Sequence, residues 1–243
     1  MRFLQKLVGV TMFFSSWYIK NKYAWAGNLI YPLSFYLILS LIGGARMSNH
    51  AIIGALISSI WMSGVGYMPQ FLFSFKFRKL KDMFVSAPIH PLCYMFGAAI
   101  SVLVSSIPSL LILFSLTAAT LQLAAADMVN LATILIITWI LSSCLGFVVA
   151  GYINDPTKIG SVAPYTGALL TTFPPVYYPL EAVPSQYRIP ALLAPTTHVS
   201  QLARLATKIS TPILHPLIHI GFTLTYLAAF IILAGFKSRW RET

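Results

Sequence analysis

The chain has 243 residues, 58% of them hydrophobic and 9% charged, with a formal net charge of +11. Soluble domains carry about 25% charged residues, so this chain cannot cover its own surface against water. Its apolar runs are continuous, which excludes the alternating pattern of a β-barrel, and its basic residues lie between those runs, which points to membrane topology and anionic headgroups and away from nucleic acid.

Residues 1–26 come first. The apolar stretch 7–19 is flanked by Lys20 and Lys22 and lacks a small-residue cleavage pattern, so no cleavable signal is read. It is also shorter than the ~20 residues a crossing needs. Phe3, Leu7, Val10, Phe14 and Trp17 recur at helical spacing, with Arg2, Lys6 and Lys20 available to headgroups. This pattern predicts an amphipathic helix in the interface. A membrane anchor and a docking surface for a cytoplasmic partner both fit it.

Six apolar spans follow, near 27–44, 51–75, 92–121, 128–153, 160–178 and 213–236. The expected fold is therefore an all-α integral membrane protein: one transmembrane domain over 1–243, with a six-span bundle over 27–236 and a basic tail over 237–243. Twelve Lys and Arg fall in the N-terminal segment, the 76–91 segment, the loop holding Lys158 and the tail. Only Arg46, Arg188, Arg204 and Lys208 fall on the other side. This asymmetry predicts a plasma-membrane protein with both termini cytoplasmic.

The segment 76–91, KFRKLKDMFVSAPIHP, joins spans two and three. Leu80, Met83 and Phe84 share one helical face, while Lys79, Asp82 and Ser86 share the other. Pro88 and Pro91 end the helix. A basic interfacial loop and a protruding helix that fits a groove in a cytoplasmic protein both agree with this pattern.

The fifth span contains Pro164, Pro174 and Pro175, which are expected to interrupt it. Beyond it, Pro179, Pro184, Pro190 and Pro195 punctuate moderately apolar sequence. The expectation is short helices that dip back into the outer leaflet. Irregular backbone survives at membrane depth only when buried in protein or lining a wet cavity, so this stretch marks a gate near the outer face. A plain extracellular loop is the alternative.

Little in the chain carries reactive chemistry. The acids are Asp82, Asp127, Asp155, Glu181 and Glu242, none within an expected span. Ion-coupled transporters usually hold ionisable groups there, although a sodium site of backbone carbonyls remains open. His215 and His219 share a helical face, but no further ligand lies near in sequence, so they are read as interfacial; His90 and His198 are read as isolated. Cys93 and Cys144 read as small buried hydrophobes. No HExxH, paired intramembrane carboxylates or nucleophile turn is present, so no enzyme is expected, and without GxxxxGK[ST] this chain holds no ATP by that route. The outer segment 179–212 is too small for a catalytic domain, since domains start near ~50 residues. Energy must come from an ion gradient or a separate chain, which leaves a secondary transporter or channel open.

Two motifs carry a resemblance. One is Lys79-Leu80-Lys81-Asp82-Met83-Phe84-Val85-Ser86-Ala87-Pro88-Ile89-His90-Pro91; the other is Tyr178-Pro179-Leu180-Glu181-Ala182-Val183-Pro184, followed by Pro195-Thr196-Thr197-His198 and Arg204. With the topology, they make the whole chain resemble the permease subunit of type-2 ABC exporters. Many members carry an acidic coupling helix where this one is basic, and Asn where Ala194 stands. The resemblance implies pairing with a second permease subunit, as a homodimer or with a related chain, and with separate ATPase subunits that hold ATP and Mg. It implies that Leu80, Met83 and Phe84 form the knob in the ATPase groove, with Lys79, Lys81 and Asp82 at its rim and Phe14 and Trp17 as a second contact. Ser58, Ser59, Ser63, Thr166, Thr171 and Thr172 would line the substrate path. Pro174, Pro175, Tyr178, Pro179, Glu181, Pro184 and Pro195 would form the outer gate. An uncharged path would suit an amphiphilic or neutral substrate.

Overall fold

The computed structural model describes residues 2–20, 22–77, 90–153 and 155–237. The proposed knob and rim (Lys79, Leu80, Lys81, Asp82, Met83 and Phe84) lies outside the described residues, as does the side chain of Trp17. Within them the chain is helical, without strands. Helix α1 is Arg2–Lys20, and α2 is Lys22–Trp61, which continues through a π-helical turn, Met62–Tyr67, into α3, Met68–Phe77. Then come α4, Pro91–Leu121; α5, Ala125–Tyr152; and α6, Pro156–Thr172. A 3-10 turn at Leu180–Ala182 precedes α7, Ser185–Leu192; α8, Pro195–Ala206; and α9, Pro216–Lys237.

Among the described residues, four helical runs are long and apolar enough to cross a membrane: Ala26–Ser74, Cys93–Leu121, Ala125–Tyr152 and Pro216–Gly235. The first, at 49 residues, would be about 73 Å long if straight, more than twice the ~30 Å hydrocarbon core. It is not straight. Gly44 adopts φ 62° and ψ −165°, a region essentially closed to residues with a Cβ, and the two limbs turn back on each other there. Ser48 Oγ donates to the Tyr36 hydroxyl at 3.4 Å. Asn28 on the first limb and Ser59 on the second both reach α4, at Ser105 and Ser109. A straight helix would hold those two residues about 46 Å apart. The bend between the two limbs is thus made at a single glycine.

Helix α6 differs from expectation. It starts at Pro156, stops at Thr172 and leaves 173–178 non-helical. Asp155 caps its start, its Oδ1 accepting from the Thr157 and Lys158 amides at 2.8 and 3.3 Å. Pro174 and Pro175 end it, because proline has no N–H to donate and disfavours helix at the residue before it. Pro164, expected to break the span, lies inside the helix without breaking it.

The bundle closes around the second limb of α2 and the π turn, which pack against α4, α5, α6 and α8. Trp61, Ile52, Ile53, Leu56 and Ile57 are fully buried there. Glycines set the closest approach. A Cβ on Gly64 would fall 2.7 Å from the Ser142 carbonyl carbon, and one on Gly167 would fall 2.8 Å from Met62 Sδ. Small residues allow such contact where lipid supplies no hydrophobic drive between helices. A second core holds α1 against α4 and α3 through Val10, Phe14, Met68, Phe71 and Tyr94. The Phe14 ring meets Phe71 and Tyr94 edge-on, with centroids 5.3 and 5.5 Å away.

Candidate functional site

The two pieces of the second motif meet at one end of the bundle, and the prolines explain how. In an unbroken helix the Leu170 carbonyl would accept from residue 174, which is proline and has no N–H. The Thr196 hydroxyl of α8 donates to it instead, at 2.5 Å. Ser200 Oγ donates to the Pro175 carbonyl at 3.1 Å, and Arg204 Nη2 donates to the Val176 carbonyl at 2.6 Å. Helix α8 therefore supplies the donor that the broken end of α6 lacks and holds the turn that follows it. Nearly all of it is buried, including Thr196, Thr197, His198, Ser200 and Arg204. Its neighbour α7 has no buried residue.

Of the expected gate residues, Pro174, Pro175 and Pro195 are buried, Tyr178 and Pro179 are half-buried, and Glu181 and Pro184 are exposed. Pro174, Tyr178 and Pro184 share the wall of a crevice of about 520 Å³ with Phe173, Tyr187 and Pro190. The Tyr178 hydroxyl donates to the Phe173 carbonyl at 2.6 Å. Tyr177, not among the expected gate residues, is the anchor of this turn. It is buried, stacks on Phe35 with centroids 5.1 Å apart, and lies against Gly54, where a Cβ would fall 2.6 Å from its Cα. A tyrosine beside two prolines was the available signal.

The expected path residues fall into two groups with different neighbours. Ser58, Ser59 and Ser63 are 0 to 1% exposed, inside helix–helix packing. Ser59 meets Ser109 at 3.4 Å, and Ser63 bonds the Ile60 carbonyl of its own helix. None of the three is in the wall of that crevice. Thr171 is buried while Thr166 and Thr172 are half-buried. The Tyr31 hydroxyl lies 3.5 Å from Thr171 Oγ1 and 3.1 Å from Thr172 Oγ1, tying α6 to the first limb of α2. Phe14 is fully buried. Among the described residues, the large apolar side chains of α1 that are exposed are Phe3, Leu4, Val8, Met12, Phe13 and Ile19.

The histidines need a correction. His198 is not isolated, and His219 pairs with it rather than with His215. Their Nδ1 atoms are 3.0 Å apart, and both rings are buried. His198 Nε2 lies 2.8 Å from the Leu192 carbonyl, which can only accept. His198 Nε2 therefore carries the proton, its Nδ1 accepts, and His219 Nδ1 donates. His215 instead stands exposed near the start of α9, its Nδ1 accepting from the Leu217 amide at 3.4 Å. The helical stripe His219, Phe222, Tyr226 and Phe230 was the missed signal: Phe222 stacks on His198 with centroids 4.6 Å apart. Among the described residues, no three of His, Cys, Asp and Glu gather as a metal-ligand set.

A polar cleft of about 680 Å³ opens where the Gly44 bend, the α4–α5 turn and the end of α8 come together. Arg46, Asn49, His50, Glu181, Thr207 and Lys208 are in its wall. Lys208 also bridges Asp127 at 2.8 Å, its own side chain being 73% exposed. Arg204, in the last turn of α8, is fully buried, with Nε and Nη1 unpartnered. Burial draws its pKa down to about 10, with Glu181 and Tyr178 opposing, so it stays charged at neutral pH. No family model matches this chain, and no curated protein matches it either.

Proposed function

We propose that this chain is the membrane-spanning subunit of a type-2 ABC exporter, with its ATPase on a separate chain. One observation carries the reading. The two separated pieces of the motif that resembles the family, 178–184 and 195–204, converge on the broken end of α6, where Thr196, Ser200 and Arg204 satisfy its last carbonyls and those of the turn that follows. A proline-broken helix completed by a buried short helix suits a gate at an outer face, because its irregular backbone is buried in protein.

On this reading the chain crosses six times: the two limbs around Gly44, then α4, α5, α6 and α9. Helix α6 has 17 residues, about 26 Å, and the 173–178 turn completes its crossing. The basic excess places both termini in the cytoplasm of a plasma-membrane protein, and the 173–215 segment is re-entrant from outside. Two copies pair, and each presents Leu80, Met83 and Phe84 to an ATPase subunit. ATP binding closes the ATPase pair and shifts the second limb of α2 and α6. Because Ser58, Ser59 and Ser63 are packed away, the path must open by parting α2 from α4 and α5. The cargo is amphiphilic or neutral.

The test is Leu80→Asp and Phe84→Asp in the assembled complex. Both should leave insertion intact, weaken ATPase co-purification and abolish ATP-dependent export. Unchanged co-purification and unchanged coupled export would overturn the proposal, as would gradient-driven transport by the purified subunit alone in liposomes.

A further inference from the structure

We propose that the polar cleft at the Gly44 end of the bundle is a binding site for an anionic group of the phosphate class, held by Arg46, Lys208 and Asn49. The argument starts from charge. Arg46 and Lys208 stand in the wall and Arg204 lies buried behind it, against two acids, Glu181 and Asp127. Asp127 is only 11% exposed and is already engaged by one hydrogen bond from Lys208, whose ammonium keeps two further donors.

Burial sharpens the point. A buried guanidinium is costly unless it is paired, yet Arg204 makes a single hydrogen bond, to the Val176 carbonyl. Glu181 is the acid that acts on it, and Glu181 is itself exposed in the cleft wall. A bound anion would supply the charge this guanidinium lacks, through a low-dielectric wall that focuses the field. His50 adds an independent sign. It lines the cleft, is 3% exposed, and its Nδ1 has no partner, whereas buried polar atoms are ordinarily hydrogen-bonded. Arg204, Glu181 and Arg46 are the charges that act on it. Around them, Asn49, Ser210 and Thr211 offer neutral donors to anionic oxygens.

The recognised chemistry is a phosphate-type anion, which could arrive as a lipid headgroup or as a free ion. The site owes nothing to the ATPase contact, so its failure and the failure of the exporter reading are separable. The test uses the full chain in nanodiscs of phosphatidylcholine alone or with phosphatidylglycerol. Inorganic phosphate binding is measured by equilibrium dialysis, and retained phosphatidylglycerol is counted by native mass spectrometry. Arg46→Gln removes an exposed cation from the wall; Lys158→Gln removes an exposed cation at the start of α6.

Arg46→Gln should weaken binding about tenfold or more, the usual size of one charge-assisted hydrogen bond, while Lys158→Gln should match the wild type. Phosphate binding with this pattern assigns the site to a soluble anion; phosphatidylglycerol retention with this pattern, without phosphate binding, assigns it to a headgroup. Should Arg46→Gln not fold, the His50 ring resonance of histidine-labelled wild type carries the test and should move on addition of inorganic phosphate or phosphatidylglycerol. Binding of neither probe, equal loss in both variants, or a silent His50 resonance overturns the proposal.

Discussion

Replacing Gly146 with alanine tests the packing at the centre of the bundle. An added Cβ would lie 3.0 Å from the Gly64 carbonyl carbon and closer still to its oxygen, with Met68 Cε at 2.7 Å. The methionine tip can swing away, being the end of a flexible chain. The Gly64 carbonyl cannot, because it is backbone in the middle of the π turn. Helix α5 must therefore back away from α2, which loosens Leu141 and Ser142 where they pack against that helix. Overpacking of this kind costs typically 1–3 kcal/mol and occasionally more; a backbone obstacle puts Gly146→Ala at the upper end, about 3 kcal/mol. Gly221→Ala is the matched control. Nothing lies within 4 Å of a Cβ there, so alanine should be neutral or better by up to about 1 kcal/mol through helix propensity. Unfolding of the detergent-solubilised protein, followed by tryptophan fluorescence and circular dichroism, reads both. If Gly146→Ala unfolds within about 0.5 kcal/mol of Gly221→Ala, the close approach of α5 to the π turn is refuted.

Two single-residue changes extend the test to other parts of the bundle. Gly44→Ala places a Cβ on a backbone with φ 62° and ψ −165° and should cost about 1–3 kcal/mol, read in the same unfolding assay; a neutral result would mean the two limbs do not turn on that residue. Phe14→Ala removes a fully buried ring from between Phe71 and Tyr94 and should destabilise by about 3 kcal/mol in the subunit alone, before any partner is added. A variant with wild-type stability but weakened ATPase binding would instead return Phe14 to the surface.

The elements themselves were largely written in the sequence, because an apolar run in lipid has few alternatives to helix. The spans at 92–121 and 128–153 match α4 and α5 within a few residues. Runs report length and hydropathy, however, and not where a helix breaks. Pro164 and the Pro174–Pro175 pair look alike in sequence. Pro164 is absorbed inside α6, while the pair ends it. Pro174 leaves the Leu170 carbonyl without its helical donor, and Thr196 of α8, folded back some 25 residues later, supplies one.

The same limit governs the polar residues. Sequence position made Ser58, Ser59 and Ser63 candidates for a path, but a serine on a helix can turn toward its own carbonyls or a neighbouring helix, and only packing decides. His198 and His219 are 21 residues apart and meet at 3.0 Å, a contact no local spacing encodes. The sequence by itself determined that this is a helical protein built for an apolar medium, since too little charge exists to face water. Only the tertiary structure decided which polar groups are spent on holding helices together and which, around Arg46, His50 and Lys208, are left facing a cleft. That choice depends on partners brought from distant parts of the chain, where a buried donor must find its acceptor or remain unpaired.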